Sequence, residues 1–124
     1  MDFSNIAKPI YLQIADRICD AISDGTYPPD SRIPSVRDYA SKFQVNPNTV
    51  MRSYEYLADE GVIYNKRGLG FFAAADAEEQ IVRLHSETFF KNEVNYFYER
   101  LRNLGVSAGQ LAQLYDNYLK ENPK

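Results

Sequence analysis

Two helix start signals follow each other closely in residues 35–61, with one short helix and a two-residue connection between them. Ser35 offers the first N-cap, and Asp38 follows three residues later, as in a capping box. Asn46 offers the second N-cap, and Pro47 takes the first helical position, where its missing N–H costs nothing. Two short helices joined so tightly are typical of a helix-turn-helix.

The segments on either side extend this motif to a winged helix-turn-helix. Upstream, an apolar residue at every fourth position predicts an amphipathic helix with Pro9 in its first position and Gly25 at its end. Downstream, the β-like runs Val62–Tyr64 and Leu69–Ala73 flank a polar hairpin tip. We therefore expect a mainly α-helical protein with a small β-hairpin, in which residues 1–75 form the winged helix-turn-helix domain.

Beyond residue 75 the pattern changes to that of long helices. Residues 76–104 contain neither Pro nor Gly and end at Gly105, which predicts one helix of about 28 residues, or roughly 42 Å. Ser107 and Gln110 form a capping box for a last helix. Two helices cannot close a core alone, so we interpret residues 76–124 as a dimerisation region whose partner is a second copy of the chain. Its predicted interface positions are Phe90, Val94, Phe97, Leu101, Leu104, Leu111 and Tyr115.

Polar side chains occupy the first two turns of the third predicted helix, where a recognition helix meets base edges in the major groove. They are Asn46, Asn48, Thr49 and Arg52. Asn can pair with adenine, Arg with guanine, and Thr with a thymine methyl group or a phosphate. Free N–H groups at the helix start also favour a phosphate. Arg37, in the preceding helix, is placed to hold the DNA backbone, and the hairpin tip with Lys66, Arg67 and Gly68 suits a wing laid along a groove.

The charge balance tests this interpretation, because phosphate neutralisation supplies much of the affinity for DNA. The whole chain carries a net charge of −3. Residues 32–70, however, contain six Lys/Arg and four Asp/Glu, so their net charge is 6 − 4 = +2. A dimer doubles this basic footprint, and we expect a moderate, salt-sensitive affinity.

Several stretches between residues 9 and 73 occur in a fixed order. They are Pro9-Ile10-Tyr11-x-Gln13-Ile14, Arg32-Ile33-Pro34-Ser35-Val36-Arg37, Val45-Asn46-Pro47-Asn48-Thr49-Val50, Tyr54, Leu57, Glu60-Gly61 and Arg67-Gly68-x-Gly70. In this order they resemble the GntR family of bacterial transcription regulators. The resemblance implies that the residues at or near the DNA are Arg37, Asn46, Asn48, Thr49, Arg52, Arg67 and Gly68.

The chain departs from the family pattern in two places. Phe71-Phe72 follow the second wing glycine, where the family usually has Thr then Phe, so we expect the base of the wing to pack differently. Many members have Arg where Met51 stands, whereas the neighbouring Arg52 resembles a variant of members with short tails. The base preference of relatives is therefore not transferable. The short tail itself is similar to that of the YtrA-like subgroup, whose two tail helices dimerise.

The residues and the resemblance together imply a sequence-specific transcription regulator, a repressor, that binds an inverted-repeat operator in double-stranded DNA as a homodimer. The recognition helix, about residues 46–60, enters the major groove, and the hairpin wing, about residues 62–73, lies on its flank. The alternative is a winged-helix protein-interaction module that docks through its helical tail. We expect no enzyme activity and no cofactor, because no catalytic grouping is present in the sequence. Whether a small-molecule effector exists stays open.

The remaining sequence features favour a cytoplasmic protein. The single cysteine, Cys19, lies beside the apolar stripe of the first helix and predicts an inert, buried thiol. His85 has no neighbours at metal-ligand spacing, so we expect no metal site. Residues 1–9 lack the basic and apolar regions of a secretory signal. The longest apolar run, Phe71–Ala75, is far too short to span a bilayer, and we expect no membrane partner.

Overall fold

The computed structural model describes residues 8–124, which contain six α-helices, one π-helical turn and one antiparallel hairpin. The elements are α1 (Ile10–Ser23), α2 (Val36–Phe43), α3 (Pro47–Asp59), β1 (Ile63–Lys66), β2 (Gly70–Ala73), α4 (Ala77–Thr88), the π turn (Phe89–Glu93), α5 (Val94–Asn103) and α6 (Ala108–Glu121). The predicted fold class is confirmed. Contacts divide the chain into two compact units, Met1–Ser86 and Glu87–Lys124. The expectation that no secretory signal is present rests largely on residues 1–7, which lie outside the described residues.

Side-chain caps start α2 and α3 at the predicted residues. The Ser35 Oγ accepts a hydrogen bond from the Asp38 N–H at 3.0 Å, and the Asn46 Oδ1 accepts one from the Asn48 N–H at 2.8 Å. Between the two helices, Gln44 has a φ of 52°, which ends α2 in the left-handed region and turns the chain toward α3. Both predicted N-caps are confirmed, and they define the helix-turn-helix.

The first helix begins one residue later than predicted. Pro9 is the N-cap of α1 and not its first helical residue, and its extended ψ of 147° keeps it outside the helix. At the other end, Gly25 follows the helix with a φ of 89°, a conformation that favours glycine. The predicted stop at Gly25 is confirmed.

One core joins the three helices and the hairpin of the first unit. Tyr54 lies at its centre and is fully buried, with its hydroxyl donating to the Pro34 carbonyl at 2.7 Å. The Tyr54 ring meets the rings of Tyr39 and Phe71 edge-on, with centroids 6.3 and 5.1 Å apart. Burial raises the pKa of Tyr54, so its hydroxyl remains a hydrogen-bond donor at neutral pH. The core is completed by Ile14, Ala15, Ile18, Cys19, Ile22, Ile33, Ala40, Val50, Leu57, Val62, Ile63, Ala73, Ala77 and Ile81.

The hairpin has a shorter turn than the sequence predicted. The predicted strands end at Tyr64 and begin at Leu69, but pairing runs from Ile63 opposite Ala73 to Lys66 opposite Gly70. Cross-strand hydrogen bonding thus extends into the polar stretch that composition had marked as the tip. The Leu69 N–H closes the turn by donating to the Lys66 carbonyl at 2.8 Å.

Phe71 and Phe72 serve opposite faces of the hairpin, since successive side chains of a strand alternate. Phe71 packs against Tyr54 in the core. Phe72 stacks on Tyr64, with centroids 5.6 Å apart and planes inclined by 15°. The departure from the family pattern, Phe71 in place of Thr, therefore adds an aromatic ring to the core, whereas Phe72, which the pattern shares, stacks on the outer face of the wing.

The long helix predicted over residues 76–104 forms as α4, a π turn at Phe89–Glu93 and α5, and the residues on either side of the π turn, Thr88 and Val94, are helical. A π turn needs neither Pro nor Gly, and a search for helix breakers does not detect it. Within the second unit, the predicted capping box of α6 is confirmed. The Gln110 N–H donates to Ser107 Oγ at 3.1 Å, and the Ser107 N–H donates to Gln110 Oε1 at 2.8 Å.

Cys19 is buried in α1, and burial raises the pKa of its thiol to about 12. The thiol is therefore protonated near neutral pH and is a poor nucleophile. Among residues 8–124, no helix is both long and apolar enough to cross a bilayer.

Candidate nucleic-acid interface

The two faces of α3 differ sharply in chemistry. One face buries Val50, Ser53 and Tyr54 in the core, whereas Asn48 and Arg52 are exposed. Thr49, between them in sequence, is half-buried. Since the apolar face is fixed by packing, the polar side chains of the first two turns are fixed on the solvent side. This is the arrangement that a helix needs in order to meet base edges in a groove.

The side chain of Arg52 lies across an aromatic ring of α1. Its guanidinium carbon is 4.0 Å from the centroid of the Tyr11 ring. The Tyr11 ring in turn meets the Tyr56 ring edge-on, with centroids 6.1 Å apart and an interplanar angle of 81°. Arg52 therefore makes a cation–π contact with the Tyr11 ring. Sequence reasoning had placed Tyr11 only within a motif and gave it no role at the site.

The first-turn N–H groups of α3 are already used within the protein. Pro47 has none, the Asn48 N–H donates to Asn46 Oδ1 at 2.8 Å, and the Thr49 N–H donates to the Asn46 carbonyl at 3.0 Å. The expectation that the N–H groups at this helix start are free is therefore wrong, whereas a phosphate contact there stays a prediction. Pairing with adenine requires both Oδ1 and Nδ2 of an asparagine. Asn48 suits that contact better than Asn46, whose Oδ1 accepts the cap hydrogen bond.

The wing carries exposed cations next to its aromatic face. Lys66 Nζ lies 5.1 Å from the centroid of the Phe72 ring, a cation–π contact. Arg67, Gly68 and Leu69 form the exposed turn, and Gly68 has a φ of 81°. A residue with a side chain would be strained at this φ, so the turn of the wing favours glycine at this position.

Arg32 is a basic residue of this region that sequence reasoning did not single out. It is exposed and pairs through its backbone with Phe72 of β2. Its Nε lies only 3.2 Å from the place where a Cβ on Gly70 would be. Gly70 therefore leaves the space that the Arg32 guanidinium group occupies beside the wing. No local pattern could reveal this contact, because the two residues are far apart in sequence.

Arg37 is exposed in the first turn of α2, as the sequence analysis expected for a residue that holds a backbone. Ion pairs in residues 8–124 involve other cations, with Lys8 and His85 near Asp16 and Arg83 on Glu60. The basic side chains of α2, α3 and the wing are thus not neutralised by an ion pair among the described residues, and their positive charges can attract an anionic partner. Within the described residues, no cluster of three or more His, Cys, Asp or Glu could hold a metal ion.

Comparison with known families and relatives gives one consistent result. The family model "Bacterial regulatory proteins, gntR family" matches residues 10–73. The HTH-type transcriptional regulator YhcF of Bacillus subtilis is 34% identical over 107 residues, covering 86% of this chain and 87% of its own. The HTH-type transcriptional repressor YtrA of the same organism is 36% identical over 102 residues, covering 82% of this chain and 72% of its own.

Solved structures extend the similarity to the fold. A transcriptional regulator of the GntR family from Bacteroides thetaiotaomicron matches with a TM-score of 0.81 and 51% identity, over 91% of this chain and 98% of its own. The DNA-binding domain of AraR, in complex with its operator ORR3, matches with a TM-score of 0.53 and 29% identity. That match covers 56% of this chain and 83% of the AraR domain.

Proposed function

This chain belongs to the GntR family and is a DNA-binding transcription regulator, and from that premise we propose that it is a repressor acting on an inverted-repeat operator. The observation that carries the proposal is the exposed polar face of α3, with Arg52 at its second turn. The name of the relative YtrA supports repression. The proposed activity is DNA binding, with no catalytic step and no cofactor.

The contacts in the proposed complex divide into base reading and backbone holding. About residues 46–60 enter the major groove, where Asn48, Thr49 and Arg52 reach base edges and Asn46 chiefly holds the helix start. About residues 62–73 form the wing on the flank. Backbone phosphates are held by Arg37, Lys66 and Arg67, and Gly68 lets the wing approach the groove closely.

We further propose that the active form is a homodimer held by the second unit. Of the predicted interface residues, Val94 is buried and Leu101 and Leu111 are half-buried. The others are exposed, with exposed fractions of 61% for Phe90, 47% for Phe97, 70% for Leu104 and 60% for Tyr115. So many large apolar side chains on one short segment favour a protein partner. A second copy is the partner that supplies the same surface and a two-fold axis.

The two-fold axis determines the form of the operator. Two α3 helices related by such an axis read the same sequence on opposite strands, with half-sites about one helical turn apart. A regulator of this kind works where the chromosome is, and we therefore place it in the bacterial cytoplasm.

Replacing Arg52 by Ala is expected to weaken operator binding by about 1–3 kcal/mol and to relax discrimination at one base pair per half-site. The reason is the loss of paired hydrogen bonds to a guanine edge. Fluorescence anisotropy on a panel of operators, each with one base pair changed, measures both effects.

The matched control is Arg17→Ala, which removes the same charge from an exposed position on α1. It should lower affinity less and leave the base preference unchanged. Equal losses in both variants, with the same base preference as the unmodified protein, would remove Arg52 from the reading of bases.

A further inference from the structure

The contact between Arg52 and Tyr11 lies on the exposed side of α3, away from the residues that the helix buries in the core. Arg52 is exposed, and the helix is held to α1 by other groups. Ser53 Oγ donates to the Tyr11 carbonyl at 2.6 Å and also lies 3.1 Å from the Thr49 carbonyl. These contacts tie the backbone of Tyr11 to α3. The Tyr11 ring, unlike its backbone, makes no hydrogen bond to Ser53. Its face contacts the guanidinium group of Arg52.

The Tyr11 ring is a fixed support. It is half-buried, its backbone carbonyl accepts the hydrogen bond from Ser53, and its ring meets Tyr56 edge-on at 6.1 Å. Tyr56 packs against the core, so the ring pair is anchored at its inner end. A ring held by these contacts restricts the side chain that rests on it.

An acidic residue on the same helix lies at a spacing that would allow an ion pair with Arg52. Glu55 is exposed and lies three residues further along α3, a spacing at which oppositely charged side chains can pair. The guanidinium group instead lies over the Tyr11 ring, and its ion pair with Glu55 does not form in the described structure. The positive charge of Arg52 is thus not neutralised by Glu55 and can interact with a partner outside the chain.

Contact with an aromatic ring leaves the N–H donors of an arginine able to bind a base. When an arginine lies face-on over an aromatic ring, the ring covers one face of the guanidinium plane, and the N–H donors lie in that plane and point outward from its edge. Guanine recognition uses two of these donors in parallel. An arginine already held on a ring loses less conformational freedom when it meets the base than a freely rotating one does.

We propose that Tyr11 is a positioning residue for Arg52 and, through it, a determinant of base specificity. The inference rests on the proposed function, since it requires that α3 reads the operator. Tyr11 itself touches no base. Its contribution is the aromatic face on which the guanidinium group is held.

The test is a double-mutant cycle on the operator that the unmodified protein selects from random duplex DNA, and on the same operator with the base pair read by Arg52 changed. The variants are Tyr11→Leu, Tyr11→Phe, Arg52→Ala and the Tyr11→Leu/Arg52→Ala pair. Tyr11→Leu is expected to bind the operator about three- to thirtyfold more weakly, the range of a cation–π contact, and to discriminate less at that base pair. Tyr11→Phe keeps the ring and should stay within about twofold of the unmodified protein. In the Arg52→Ala background, Tyr11→Leu should cause no further loss.

Three results would overturn the inference. An equal loss from Tyr11→Leu with and without Arg52 would show that the ring acts only through the fold. Unchanged or tighter binding by Tyr11→Leu, with base discrimination lost in Arg52→Ala, would refute Tyr11 while leaving the proposed function in place. If Arg52→Ala changes neither affinity nor base preference, Arg52 does not read a base and the inference about Tyr11 fails with it, whereas the proposed function is tested separately by operator selection. Circular dichroism checks folding, and Tyr11→Met replaces Tyr11→Leu if the branched side chain unfolds the protein.

Discussion

Replacing Phe97 and Leu101 together by Ser is expected to convert the dimer into monomers and to weaken operator binding by about 100-fold or more. Phe97 is 47% exposed and Leu101 half-buried, on a segment with several other exposed apolar residues. Polar side chains there would remove apolar area that two copies bury against each other in the proposed dimer. A monomer holds only one half-site, and it loses the gain in effective concentration that the second half-site provides.

Light scattering measures the oligomeric state, and anisotropy on the selected operator measures the affinity. The matched control is Val82→Ser, which removes an exposed apolar side chain from α4, 62% exposed and outside the predicted interface. It should remain dimeric. A Phe97→Ser/Leu101→Ser protein that is still dimeric would refute the tail interface. Phe90→Ser/Leu104→Ser, at more exposed positions, repeats the test if the first pair unfolds the second unit.

Replacing Tyr54 by Ala is expected to lower the free energy of unfolding of the DNA-binding unit by about 3–5 kcal/mol, the cost of removing a large buried aromatic side chain. Tyr54 is fully buried among α2, α3 and the hairpin, and its hydroxyl bonds the Pro34 carbonyl. Tyr54→Phe keeps the ring and leaves that carbonyl without its partner, so a smaller loss of about 1–3 kcal/mol is expected.

Urea unfolding, followed by circular dichroism, measures both losses. The control is Tyr118→Ala on α6, where the ring is 59% exposed, and we expect a change within about 0.5 kcal/mol. An unfolding free energy of Tyr54→Ala equal to that of the control would show that this ring does not join the helices to the wing.

The sequence predicted the features that depend on neighbouring residues. Ser35 and Asn46 cap helices through groups two or three residues away, and Gly25 follows α1 in a conformation that glycine favours. Such signals are local, and the order of the helices and the hairpin follows from them. The small error at Pro9 has another cause, because the preference of proline for the first helical position is only statistical, and here its extended ψ of 147° places it just outside the helix.

Contacts between distant residues could not be predicted in the same way. Arg52 rests on Tyr11, and Arg32 fills the space that Gly70 leaves, yet neither pair has a spacing that announces the contact. The π turn in the tail has no breaker residue to mark it. Asn46 shows a different limit. The sequence predicted that Asn46 caps α3. That its side chain and carbonyl accept the N–H groups of the first turn is clear only when every hydrogen bond is assigned.

The central claim is that this chain reads a two-fold operator, and selection from a random duplex DNA pool with the purified protein tests it most directly. We predict enrichment of an inverted repeat whose half-sites lie about one helical turn apart. The same protein with Arg52→Ala should enrich a repeat that is degenerate at one position of each half-site. Failure to enrich any sequence, with a protein shown to be folded and dimeric, would contradict the claim and favour a winged-helix module that docks on another protein.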